Sequence, residues 1–166
     1  MAADMFLKID GIDGESTDKA HPGEIEVLSY SWGVNQQRSG SASSGGSLTS
    51  GRADFQDLTI VKAIDKASPL LMLHCADGKH LANIRLELCR SGEDKQPYMK
   101  YTFTDVIITS FQPGGSGGNG GETLPTESVS FAYGKAEWEY TQTKVTGGKG
   151  SGAVAGGWDL QANAKV

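Results

Sequence analysis

Residues 24–36 read EIEVLSYSWGVNQ. Strict alternation marks a half-buried strand, with Leu28, Tyr30, Trp32 and Val34 on one face and Ser29, Ser31 and Gly33 on the other. Ile25 and Val27 occupy the opposite phase. The strand therefore carries a bulge or changes its environment between Val27 and Leu28. On both sides the pattern repeats. Residues 4–9, 52–62, 81–90, 97–112, 127–143 and 157–165 all read as strands rich in β-branched and aromatic residues. Ile84, Leu86 and Leu88 face away from Arg85, Glu87 and Cys89. In 97–112 Asp105 interrupts the face of Met99, Tyr101 and Phe103, and in 127–143 the phase slips at Gly134, where a bulge or turn fits.

One helix interrupts the strands, in DKASPLLMLHCADGKH at 65–80. Ser68 fits the N-cap, Pro69 the first helical position and Gly78 a left-handed stop. Leu70, Leu73, His74 and Asp77 lie on one side, with Leu71 and Cys75 beside them. So short a helix must pack on a sheet to persist. About seven strands and one short flanking α-helix predict a mostly β chain: a small antiparallel β-barrel or sandwich. The length of 166 residues suits a single domain over 1–166.

Glycine supplies 23 residues, roughly twice the usual share. Sixteen of them fall in 39–51, 113–121 and 147–157, which read as flexible loops or linkers. The net charge of −5 and pI near 5.1, with no Lys/Arg cluster, argue against nucleic acid and anionic membrane surfaces as partners. No apolar run approaches the roughly 18 residues of a membrane span, so no membrane insertion is expected. The N-terminus lacks a basic region followed by an apolar core, so no cleaved secretory signal is expected, and Cys75 and Cys89 make no disulfide framework.

Chemical motifs are present only in form. Gly-x-Ser-x-Gly occurs around Ser116, but a nucleophile elbow needs a strand before it and a helix after it. Gly115, Gly117 and Gly120 match a dinucleotide pattern without a βαβ unit around it. His74, Cys75, His80 and Cys89 lack zinc-site spacing. His21, before a proline, is expected to face solvent. Glu137 and Glu139 share a strand face that reads as solvated, and Glu127 has no evident acid/base partner. No catalytic residue, metal or cofactor is implied. The unusual feature is a pair of small, weakly polar faces: Ser29, Ser31 and Gly33 on one strand, Ser128, Ser130 and Ala132 on another. Such faces suit close approach of another surface or the wall of a cavity as well as ordinary exposure.

Taken in order, MFLKIDGIDGES at 5–16, Asp18-Lys19, His21, EIEVLSYSWG at 24–33, the helix segment at 65–80 and PTESVSFAYGK at 125–135 resemble the haemolysin-coregulated protein (Hcp) family of bacterial type VI secretion. The resemblance spans nearly the whole chain. It implies a small β-barrel of two packed sheets and no enzymatic activity. It also implies a homohexamer whose rings, stacked on copies of themselves, form the inner tube of a contractile injector. The implied partners are a VgrG spike, the contractile sheath and small effector proteins held in the ring lumen. The implied route runs from the cytoplasm to the outside without a signal peptide. The resemblance places Ser31 on the lumen wall, with Tyr30 departing mildly from the family's tryptophan. It makes the segment containing Ser39, Gly40, Ser43, Gly46 and Ser47 the ring-stacking loop, here unusually serine-rich, and leaves no room for a fused toxin domain after Trp158. The alternative is a soluble secreted β-barrel binding module without tube assembly.

Overall fold

The computed structural model describes residues 3–39, 49–92, 95–118, 124–143 and 149–166. Among these described residues, eleven strands and one helix follow in chain order: β1 Ala3–Ile9, β2 Ile25–Val27, β3 Ser29–Ser31, β4 Val34–Ser39, β5 Thr49–Phe55, β6 Leu58–Ala63, α1 Ser68–Asp77, β7 Leu81–Arg90, β8 Pro97–Gly114, β9 Thr126–Thr143, β10 Lys149–Asp159 and β11 Ala164–Lys165. Nine strands form one antiparallel sheet system, while β4 and β5 pair as a separate two-stranded sheet.

The deciding stretch changes partners. Ile25–Val27 pairs with β1, and Ser29–Ser31 pairs with β6. Leu28 between them is 58 % exposed, and its N–H donates to the Val61 carbonyl at 2.8 Å. The phase flip is thus a switch of partner strands, from β1 to β6, within one sheet system. It completes a circuit that runs β1, β7, β8, β9, β6, β3 and back through Leu28 to β2 and β1. Inside lies one apolar core that includes Leu7, Ile25, Leu58, Ile60, Leu86, Phe103, Val106, Val129 and Phe131.

The two long strands kink together. Phe103 is buried before Asp105 and Val106 after it; Phe131 is buried before Gly134 and Ala136 after it. Thr104 pairs with Lys135 and Val106 with Tyr133, so Asp105 lies opposite Gly134 and no register is lost. Asp105 takes a left-handed φ of 55°, which a short polar side chain tolerates. A Cβ at Gly134 would lie 3.4 Å from the Asp105 Cβ. The slip expected at Gly134 is real, but it is a coupled kink. The register shift falls instead between Ile108 and Ser110.

Several expected elements are redrawn. Segment 52–62 is not one strand: β5 ends at Phe55 and β6 begins at Leu58. Most of 147–157, expected as a loop, belongs to β10, paired along β9 from Ala153↔Thr141 to Asp159↔Lys135. Gly156 and Gly157 serve close approach: a Cβ at Gly156 would sit 2.7 Å from the Trp138 indole nitrogen, and one at Gly157 3.1 Å from Glu137 Cγ. Expected strand 157–165 is the end of β10, a turn, and the two-residue β11. In α1 the cap is Ala67, not Ser68, and Gly78 ends the helix in the left-handed region as expected. The helix buries Leu71 and packs Cys75, while Leu70, Met72 and Leu73 stay exposed. Among the described residues no helix is long and apolar enough to cross a membrane.

Candidate assembly surfaces

The outward face beside the change of partner at Leu28 is built row by row from register. Ser31 on β3 lies opposite Thr59 on β6, Thr59 opposite Ser130 on β9, and Ser130 opposite Ser110 on β8. The next row runs Ser29, Val61, Ser128 and Gln112 across the same four strands. Thr59 Oγ1 and Ser130 Oγ are 2.9 Å apart, so cross-strand hydroxyls satisfy each other. The result is a smooth, uncharged wall, backed by Ile60 and Val129, each fully buried. Ser31 itself is exposed.

Next to this wall stands the arm made by β4 and β5, the strands flanking the expected stacking loop. Ser39 closes the arm by pairing with Thr49; Gly40, Ser43, Gly46 and Ser47 lie outside the described residues. Trp32 anchors the arm's base. Its ring meets Phe103 edge-on at 5.3 Å, Tyr101 at 5.3 Å, Trp138 at 5.8 Å and Phe55 of the arm at 6.2 Å. The Trp32 Nε1–H donates to the Tyr133 hydroxyl, which donates in turn to the Gln56 carbonyl at 2.6 Å. Burial pushes the Tyr133 phenol up to about 12, so it remains a donor at neutral pH.

With these surfaces in place, the likeness to known proteins is decisive. Residues 6–140 match the sequence profile of the family described as "Type VI secretion system effector, Hcp". The chain belongs to the Hcp family. It is 40 % identical to protein hcp1 of Pseudomonas aeruginosa over 167 residues, covering all of both chains. A solved "type six secretion system protein" superposes with a TM-score of 0.91 at 36 % identity, covering 99 % of this chain and 100 % of that one. Hcp1 from Salmonella typhimurium gives a TM-score of 0.79 at 38 % identity, covering both chains fully. The mostly β Hcp fold, with two antiparallel sheets and one short helix, is the one expected from the sequence.

Two buried polar clusters of this Hcp chain went unread in its sequence. Lys62 is fully buried. Its ammonium donates to Glu127 Oε2 at 2.8 Å, Asp65 Oδ1 at 2.9 Å and Ser68 Oγ at 3.1 Å. Ser68 Oγ also lies 2.7 Å from Glu127 Oε2. Glu127 thus has a partner, and Ser68 serves this cluster instead of capping the helix. The signal was available: Lys62 is in phase with Leu58 and Ile60, and Glu127 with Val129 and Phe131.

The second cluster corrects the expectation for His21, which is 3 % exposed. The imidazole stacks on Phe6 at 4.4 Å. Its Nε2 meets Glu87 Oε2 at 2.5 Å, and its Nδ1 faces Asp18 Oδ1 at 3.3 Å. Cys89 Sγ is 4.0 Å from Nε2. The loop carrying His21 covers the second face of β7, which is why Glu87 and Cys89 are buried although they alternate with Leu86 and Leu88. His21, Glu87 and Cys89 offer three ligand atoms within 4.8 Å of one another. Burial, then the carboxylate of Glu87, pushes the Cys89 thiol up to about 12, while the Arg85 guanidinium pairs with Glu87 by charge, its Nε 3.0 Å from Oε1 without hydrogen-bond geometry. The arrangement works as a clamp closing the loop onto the barrel. His74 and His80 lie elsewhere, facing Asp77 at 3.2 Å and Asp105 at 3.0 Å.

Lys95 ties the outer side of that clamp, reaching Asp18 Oδ2 at 2.8 Å and Asp4 Oδ2 at 3.1 Å. The Lys95 hydrogen bond, helped by the Ala20 N–H, lowers the Asp18 carboxyl from 3.8 to about 2. A carboxyl depressed in this way contributes stability that is present above its unfolded value and lost as pH falls through its folded one. The melting temperature should therefore fall as pH drops from about 4 to about 2. In Lys95→Met that part of the slope should flatten, and the variant should be less stable than the parent above pH 4. Melting curves across this range with parallel slopes for parent and variant would remove Lys95 as the cause.

Ser116 is exposed, and β9, not a helix, is the next described element; Gly120 lies outside the described residues. Glu139 pairs across strands with Lys100, and Glu137 with Thr102.

Proposed function

We propose that this Hcp chain is a structural subunit of the type VI inner tube, closing with five copies into a homohexameric ring and acting without catalysis. The observation that carries this reading is the Ser/Thr wall of β3, β6, β9 and β8. Residues with short, uncharged side chains present a broad shallow surface that water wets, and a passing or resting protein meets it without deep pockets or fixed charges. Ser31 sits at the edge of this wall as a lumen residue, where small effector proteins are held. The arm of β4 and β5 reaches the next ring, so copies stack; the VgrG spike caps the stack and the contractile sheath surrounds it. The subunit waits in the cytoplasm and leaves with the tube when the sheath contracts.

Light scattering on the purified protein is expected to give six times 17.5 kDa. A stable monomer would leave a soluble secreted binding module as the better description. Ser31→Gln keeps the group polar and adds bulk on the outward face. It should leave folding and ring mass unchanged while retention of a co-expressed effector drops by tenfold or more in co-purification, the order of about 1.4 kcal/mol. Dissociated rings, or undiminished retention of every effector tried, would take Ser31 off the lumen wall.

A further inference from the structure

The arm stands on two narrow feet. Gly33 and Gln56 join them, the Gln56 N–H donating to the Gly33 carbonyl at 2.9 Å. Side chains tie the arm to the barrel at two separate points, one at this base and one halfway along β5. At the first, the Tyr133 hydroxyl accepts from Trp32 and donates to the Gln56 carbonyl at 2.6 Å. At the second, Arg52 Nη2 of β5 donates to the Leu160 carbonyl at 2.8 Å, in the turn between β10 and β11. That turn is braced in its own right. The Leu160 N–H donates to the Gly134 carbonyl at 2.9 Å, and Gln161 Nε2 donates to Asp105 Oδ2 at 3.0 Å. Both attachment points therefore converge on the coupled kink of β8 and β9.

A two-stranded ribbon has little rigidity of its own in water. Its direction is set by what holds its base. We propose that the Tyr133 hydroxyl and the Leu160 carbonyl form a two-point socket that aims the arm, and that this aim limits ring-on-ring stacking. The inference rests on the arm being the ring-to-ring contact. Its force comes from symmetry. If each arm spends a fraction f of its time correctly aimed, a junction needing six aimed arms weakens as the sixth power of f. Lowering f from near one to about one-half weakens the junction by about 60-fold.

The experiment compares Tyr133→Phe, Arg52→Met and their combination with the parent, with Arg52→Lys as the variant that keeps a donor. Deletion of 40–48, the sequence joining β4 to β5, serves as the reference. Ring mass is read by light scattering, tube formation against protein concentration by sedimentation and negative-stain electron microscopy, and arm order by hydrogen exchange. Tyr133→Phe with Arg52→Met should keep the ring mass. Exchange should speed up across 49–56 and stay unchanged in β7–β9, and the concentration needed for tubes should rise at least tenfold. Arg52→Lys should stay close to the parent. If the deletion abolishes tubes while the double variant forms them at the parent's concentration, the socket is wrong and the arm's role stands. If the deletion leaves tubes intact, or the parent forms none at any concentration, the role of the arm fails and the socket with it. Loss of ring mass in the double variant would assign these residues to ring closure and overturn the aiming role.

Discussion

Lys62→Met is expected to cost about 3–5 kcal/mol of folding stability, because it leaves Glu127 in the core without its counter-charge. Lys62 is fully buried and Glu127 is 3 % exposed, so water cannot replace the lost ammonium. Asp65 and Ser68, both bonded to the same nitrogen, lose their common donor as well. The loss is specific to the unpaired charge. Lys62→Met combined with Glu127→Met removes both charges and restores apolar packing beside Ile60 and Val129, and should recover most of the stability. Urea unfolding measures all three proteins. A single variant within about 1 kcal/mol of the parent would mean that Glu127 finds other partners; a double variant as weak as the single one would mean that packing, not charge, is what Lys62 supplies.

Trp32→Ala is expected to lose about 3 kcal/mol, the lower end for a large aromatic because the ring is only partly buried. Its effect should be wider than stability. Trp32 touches Phe103, Tyr101 and Trp138 on the barrel and Phe55 on the arm, so removing it empties the joint between the two. Trp32→Phe keeps an aromatic ring but loses the N–H that donates to Tyr133. It should cost about 1 kcal/mol by thermal or urea unfolding, the value of one hydrogen bond plus modest repacking. Protease sensitivity confined to the arm in Trp32→Ala would confirm the joint. Cleavage spread evenly over the barrel would show that the residue serves the core alone.

Alternation made the strands of the barrel legible, and it located the two phase breaks correctly. It read them only as breaks, because period-2 patterning reports which face is buried and not which neighbour supplies the burial. At Val27–Leu28 the neighbour changes; at Gly134 the facing strand breaks with it. Glycine was the weaker guide. Residues 149–157 lie in β10, where a missing Cβ admits the Trp138 ring, and composition cannot separate that use from chain freedom. His21 and Glu127 were misjudged for a shared reason. Each depends on a partner more than sixty residues away, Glu87 for one and Lys62 for the other, and local sequence carries no record of such pairs. The serine faces were visible from the start, but the register across four strands that makes them one wall belongs to the fold.

Leu28 has a consequence for what kinds of change this chain can absorb. Side chains on either side of it point in opposite senses because one residue, and no more, separates the two ladders. Losing that residue, or gaining one beside it, would restore one unbroken alternation from Ile25 to Trp32 and erase the break at which the strand leaves β1 for β6. No rearrangement of loops could supply that break, since β6 fixes one end of the strand and β1 the other. The sequence joining β4 to β5 is under no such rule, and lengthening a connection between paired strands carries only a slowly growing entropic cost. Insertions and deletions should thus be sorted sharply along this short span of sequence. They are tolerable beyond Ser39 and ruinous between Val27 and Ser29, a few residues upstream.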